Sequence, residues 1–238
     1  MVVTPLLLGQ LLTGCSPDQR DDPTRVLLLG DSITHGRDGD WTWRYRLWQH
    51  LQRSGERDVD FVGPTDDLHR SSDAYADAYF DRDHAAQWGT KLAAPEYDPG
   101  ALGRVYRPDV VVVELGVNDI RHGATPAEVE DAMRATVGTL REAAPGVDVV
   151  VVHVPVTTVT GAVELNGRYD ALAAELDDAD ERVVVAQADV GFVADPALAG
   201  ADSYDGLHPS ASGELKIAAA VADALAELGI GDGVRSQA

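Results

Sequence analysis

Arg25-Val26-Leu27-Leu28-Leu29-Gly30-Asp31-Ser32-Ile33 is the stretch on which the fold turns. Val26 to Leu29 form an unbroken apolar run closed by glycine, the pattern of a strand covered on both faces. Gly-Asp-Ser then sets a hydroxyl where the strand ends, and open parallel sheets bind ligands at the carboxyl ends of their strands. Runs of the same kind recur at 59–62, 110–115, 147–154 and 182–186, and helical patterns lie between them. A helix is expected over 42–54. A second opens at Thr125-Pro126-Ala127-Glu128, a capping box with proline in its first turn. Its Val129, Met133, Val137, Leu140 and Ala144 recur at helical spacing. A third is expected over 166–177, and Leu215, Ala218, Ala222 and Leu225 mark the last.

Alternating strands and helices with short connections imply a parallel sheet covered on both faces. The expectation is a single-domain three-layer α/β/α sandwich with a five-stranded parallel sheet. Right-handed crossovers limit the topologies, and the expected order is the flavodoxin-like 2-1-3-4-5, with the first and third strands astride the switch point. Ser32 and Asn118 follow those two strands. The domain spans 25–230, with a leader and tether over 1–24 and a tail over 231–238. The stretch 63–103 reads as irregular. Its Tyr75, Tyr79, Phe80 and Trp88 have two readings, as walls of a substrate cleft or as pins holding the loop to the core.

A serine hydroxyl becomes a nucleophile at neutral pH when a base takes its proton and a third group orients that base. His35, His50, His69 and His122 sit among polar residues and read as solvated, and His153 as a core or strand-end residue. His208 differs. It lies in Asp205-Gly206-Leu207-His208-Pro209, ahead of the last helix, and Asp and His three apart can converge from one turn. The developing oxyanion needs donors. Gly116-Val117-Asn118-Asp119, after the central strand, offers the Asn118 amide, and Asp119 reads as holding the loop.

Gly-Asp-Ser after the first strand, Gly-x-Asn-Asp after a central one and Asp-x-x-His before the last helix occur together and in order. With them the chain resembles the SGNH hydrolases, also called GDSL esterases, from about 25 to 228, nearest to the branch that includes acetylxylan esterases. The resemblance implies an α/β esterase with Ser32 as nucleophile, His208 as general base and Asp205 as its partner. It also implies an oxyanion hole made of the Ser32 N–H, the Asn118 amide and a glycine N–H. The best match for that glycine is Gly89, in Asp81-Arg82-Asp83-His84-Ala85-Ala86-Gln87-Trp88-Gly89, with Gly63 as the alternative. Members of that branch often read Asp-His-Glu-Gly before this glycine; Ala85-Ala86 stand here instead. The expected reaction is hydrolysis of a carboxylic ester through an acyl-enzyme, with no cofactor and no metal. A short-acyl or O-acetyl carbohydrate ester is the expected substrate, and a lipid ester or thioester the alternative. A metallophosphoesterase would use Asp31, Asp119 and histidines as ligands in a two-metal site, but no histidine stands two residues after Asp31 and no His-rich cluster lies near Asn118. A non-catalytic binding module is the remaining alternative, set against an intact Ser32, Asn118, Asp205 and His208.

The 238 residues carry 19 Lys and Arg against 40 Asp and Glu, a net charge of −21, which argues against nucleic acid and anionic membranes as partners. Cys15 is the single cysteine, so an intrachain disulfide is excluded. It closes a short apolar segment at 2–12 in Leu12-Thr13-Gly14-Cys15, which resembles a bacterial lipobox and implies a lipid anchor at Cys15 and export. The segment is too short to span a membrane. No Lys or Arg precedes Arg20, unlike an ordinary export leader; the alternative is an apolar tail on a cytoplasmic enzyme.

Overall fold

A computed structural model describes residues 22–54 and 59–234. The lipobox-like segment with Cys15, most of the tether and residues 235–238 lie outside the described residues.

In chain order the elements are β1 (Thr24–Gly30), α1 (Ser32–His35), α2 (Thr42–Ser54), β2 (Val59–Val62), β3 (Ala85–Ala86), α3 (Pro99–Tyr106) and β4 (Val110–Glu114). They continue with α4 (Val117–Arg121), α5 (Pro126–Ala143), β5 (Asp148–Val152), α6 (Ala162–Leu176), β6 (Val183–Ala186) and α7 (Ala211–Glu227). All strand pairs are parallel, in the order β2-β1-β4-β5-β6. That is the expected 2-1-3-4-5. The sheet has six strands rather than five, because Ala85 and Ala86 pair with Leu29 and Gly30 and extend the β2 edge of β1. Two residues carry no readable alternation, so β3 and the short α3 are hidden within a stretch whose sequence looks irregular.

β1, β4 and β5 are buried on both faces, as their unbroken valine and leucine runs require; Val26 through Leu29, Val110 through Val113 and Val149 through Val152 are at most 2% exposed. Each such side chain contributes about 1.5–3 kcal/mol on burial. α2 packs on α7, while α3, α5 and α6 pack in a row, forming the two helical layers. The Thr125–Glu128 capping box is present as expected.

β1 and β4 run in register from Val26 with Val110 to Gly30 with Glu114. The turns after them, carrying Ser32 and Asn118, therefore leave the sheet at one level. Gly30 is demanded by its neighbour: α1 folds back so tightly that a Cβ there would overlap the Thr34 side chain.

Candidate active site

Ser32 opens α1 and is 5% exposed. Asp31 caps this turn, its Oδ1 accepting from the Ile33 N–H at 2.9 Å. From the other end of the chain, His208 brings Nε2 to 3.0 Å from Ser32 Oγ and Nδ1 to 2.7 Å from Asp205 Oδ2. Asp205 works with both oxygens. Its Oδ1 accepts from the N–H groups of Leu207 (2.9 Å) and His208 (2.8 Å), folding the turn, while Oδ2 faces the ring. A carboxylate at Nδ1 selects the tautomer with its proton there, leaving the Nε2 lone pair toward the hydroxyl. Burial pushes the Asp205 carboxyl up, but hydrogen bonds from the His208 ring and from the two N–H groups outweigh it and hold it below its ordinary value.

The His208 ring lies in an aromatic array. Trp88 is nearly parallel to it, centroids 4.5 Å apart, and Tyr204 is parallel at 5.8 Å. Trp88 also stacks on His69 at 4.2 Å and anchors its indole N–H on Gly36 O at 2.9 Å. Arg37 sits 4.0 Å over Tyr204. Sequence reasoning missed Tyr204 altogether; its only signal was an aromatic directly beside the Asp-x-x-His turn. Of the four aromatics with two readings, Trp88 lines the cleft. Tyr75 and Phe80 are buried with Tyr45 and Leu68, pinning the loop, and Tyr79 is exposed.

Asn118 is buried beside the residue that precedes Ser32. Its amide donates to Asp31 Oδ2 and to Thr90 O, both at 3.0 Å, so both amide hydrogens are engaged at rest. Gly89 adjoins Thr90 in an exposed turn with φ +78°, and Gln87 N–H ties that turn to Gly30 O at 3.2 Å. Gly63 is needed for packing instead, since a Cβ there would run into the His84 backbone. Two carboxyls are sealed under this floor. Burial pushes Asp31 up to about 7, with the Ile33 N–H pulling the other way and Asp119 adding to the rise. Burial, then the charge of Asp31, pushes Glu114 well above its ordinary value; Thr34 Oγ1 donates to it at 2.8 Å.

His35 corrects the sequence reading: it is not solvated but 1% exposed, because α1 turns inward under the site. His153 is a buried strand-end residue between Asp189 and Asp170, at 2.8 and 3.0 Å. Asp119 holds the loop as expected, accepting from Leu92 N–H (2.8 Å) and Ala93 N–H (3.0 Å). Among the described residues, His35, Asp67 and His84 bring ligand-type atoms within 4.8 Å of one another. A cation fits poorly there. His84 Nε2 is engaged by Asp67 O and Nδ1 by Ala86 N–H, and the buried Arg44 guanidinium donates to the carbonyls of Thr34 and His35.

Two hollows meet at Trp88. The recess at the nucleophile, about 10 Å³, is lined by Ser32, Asp40, Thr42, Trp88, His208 and Glu214 among others. That is room for about one water-sized group. The second is an open groove of about 390 Å³ lined by Arg37, Asp38, His69, Arg70 and Trp88.

The chain is similar to known proteins in sequence and in fold. A family profile described as GDSL-like lipase/acylhydrolase matches residues 28–215. The chain is 27% identical over 212 residues to a multidomain esterase of Ruminococcus flavefaciens, covering 81% of this chain and 27% of that protein. It thus spans about a quarter of that relative's length. Among solved structures, an acetyl esterase mutant with an acetate ion and a carbohydrate esterase family 3 protein from Talaromyces cellulolyticus each superpose with a TM-score of 0.72 at 27% identity, over 86% of this chain and 97% of theirs. A family 3 carbohydrate esterase of Clostridium thermocellum shares the fold with a TM-score of 0.69 at 21% identity, over 87% of this chain and 97% of its own.

Proposed function

The chain belongs to the GDSL-like lipase/acylhydrolase family, and on that premise we propose that it is a serine esterase that cleaves short-acyl esters of carbohydrates. The observation that carries this reading is the line from Ser32 Oγ to His208 Nε2 at 3.0 Å and from His208 Nδ1 to Asp205 at 2.7 Å. His208 takes the Ser32 proton as Oγ bonds to the acyl carbon, and the imidazolium then protonates the departing alcohol oxygen. Water, activated by the same ring, attacks the acyl-enzyme, and the carboxylic acid leaves as Ser32 regains its proton. The Ser32 and Gly89 N–H groups and the Asn118 amide hold the oxyanion. For Asn118 to act, its amide exchanges one of its two resting acceptors for the oxyanion.

The short acyl group is supported by the recess, which is small and carries the carboxyls of Asp40 and Glu214. A long hydrocarbon chain would desolvate those groups with nothing in return. The carbohydrate is supported by the groove, where Asp38 and Arg70 line an open hollow together with Trp88 and His69, and by the acetyl and carbohydrate esterases among the structural relatives. Export with a lipid on Cys15 belongs to the same proposal and would place the domain where polymeric carbohydrate is found.

The test is hydrolysis of p-nitrophenyl acetate, butyrate and octanoate by the wild-type domain and Ser32→Ala. Activity should fall with acyl length and vanish in the variant. A preference for octanoate would move the substrate to lipid esters, and activity retained in Ser32→Ala would remove the serine mechanism.

A further inference from the structure

The groove beside the nucleophile departs from the charge of the whole chain. Acidic side chains outnumber basic ones by 40 to 19, yet two of the groove's five lining residues are Arg37 and Arg70. Arg37 is occupied: its guanidinium lies 3.5 Å from the Asp40 carboxylate and 4.0 Å over the Tyr204 ring. Arg70 has no ion-pair partner among the described residues. Its charge is felt in the groove, where burial first and Arg70 next lower the pKa of His69, with Asp38 opposing.

The backbone makes Arg70 more unusual. Leu68 and Ser72 bond to each other in both directions, at 2.7 and 3.2 Å, and close a three-residue turn. Closing it puts Arg70 at φ +63° and Ser71 at φ +57°. Left-handed backbone strains any residue with a Cβ and is free of strain for glycine. Arg70 thus presents a long, charged side chain at the rim of the cleft from backbone that glycine would adopt without strain.

We propose that the alcohol half of the ester is an anionic sugar, a uronate, whose carboxylate Arg70 grips. This rests on the reading of Ser32 as an esterase nucleophile. The planar guanidinium fork matches a carboxylate through two parallel N–H···O bonds. Asp38 accepts from a ring hydroxyl, and the sugar ring sits in the groove beside the stacked Trp88 and His69. The net charge of −21 does not forbid this, because exposed charges beyond about 8 Å are largely screened at physiological salt.

The experiment uses a matched pair, methyl O-acetyl-glucuronoside and methyl O-acetyl-glucoside acetylated at the same position, with p-nitrophenyl acetate alongside. Wild-type kcat/KM is expected to favour the uronate by about tenfold, the scale of one charge-assisted pair, and added salt should erode the preference. In Arg70→Gln the ratio should fall to within about twofold, chiefly through KM, and Arg70→Lys should keep part of it. Arg70→Gly should melt higher than wild type by relief of strain and still lose the preference, separating the use of the side chain from any structural role. A wild-type ratio at or below one, or a ratio unchanged in Arg70→Gln, overturns the proposal while hydrolysis of p-nitrophenyl acetate leaves the esterase standing. Failure on all three substrates overturns both.

Discussion

Trp88 lies face to face with His208, ring centroids 4.5 Å apart and planes 23° apart. The imidazole becomes a cation when it takes the Ser32 proton, and a cation over an indole face gains about 0.5–2 kcal/mol. Trp88→Leu should therefore lower kcat by roughly two- to thirtyfold. Trp88→Phe, which keeps a π face, should retain most of it. Equal losses in the two variants would show that Trp88 acts by filling space alone.

Asn118 serves the floor of the site as well as the proposed oxyanion hole. Asn118→Ala should cost about 10²–10³ in kcat on p-nitrophenyl acetate. It should also reduce unfolding stability by about 1–3 kcal/mol, since it strips a donor from the buried Asp31. Denaturant titration measures the second effect. From its turn position alone, Asn118 shows no link to stability; the 3.0 Å bond to Asp31 supplies one. An unchanged kcat would mean the amide stays on its resting acceptors throughout.

Stability should fall as pH rises across neutrality. Asp31 and Glu214 are each pushed up to about 7, both by burial first. In Glu214 the charge of Arg46 opposes the rise and Asp40 adds to it. A carboxyl whose folded value is raised binds its proton more tightly in the folded state. Its contribution is complete below the ordinary carboxylate range and is lost as pH rises through the folded value. The melting temperature should therefore be lower at about pH 8.5 than at about pH 6.5, above the range in which His35 and His84, lowered by burial, add stability as pH rises, and Glu214→Gln should flatten that slope. A melting temperature that rises over this interval would contradict the burial of these groups.

Asp205→Asn keeps a carbonyl oxygen for the N–H groups of Leu207 and His208 but no longer selects the Nδ1–H tautomer. Loss of kcat on the order of 10³–10⁴ is expected with the fold intact, as when other serine triads lose this carboxylate. Circular dichroism with kcat checks both halves. A loss of only a few fold would show that the 2.7 Å contact does little to orient the ring.

Much of this is legible in the sequence because its signals are local. The valine and leucine runs that make β1, β4 and β5 are continuous, so a parallel sheet alternating with helices follows from the pattern, and handedness narrows the strand orders. Asp205 and His208 share one turn, so their pairing follows from spacing. What escapes the sequence is non-local. β3 exists only because Ala85 and Ala86 fall beside Leu29 and Gly30. The Tyr204–His208–Trp88 array joins residues more than a hundred positions apart in the chain. His35 looks solvated among polar neighbours because nothing near it in sequence reveals that α1 turns inward. The engagement of the Asn118 amide by Asp31 and Thr90 likewise emerges only when three turns meet.

The most direct test of Ser32 as the nucleophile is covalent. The intact chain would be treated with a fluorophosphonate and the labelled peptide sequenced by mass spectrometry. One adduct is predicted, on Ser32, lost in Ser32→Ala and strongly slowed in His208→Ala. An adduct on another residue, or none while ester hydrolysis proceeds, would contradict the serine mechanism.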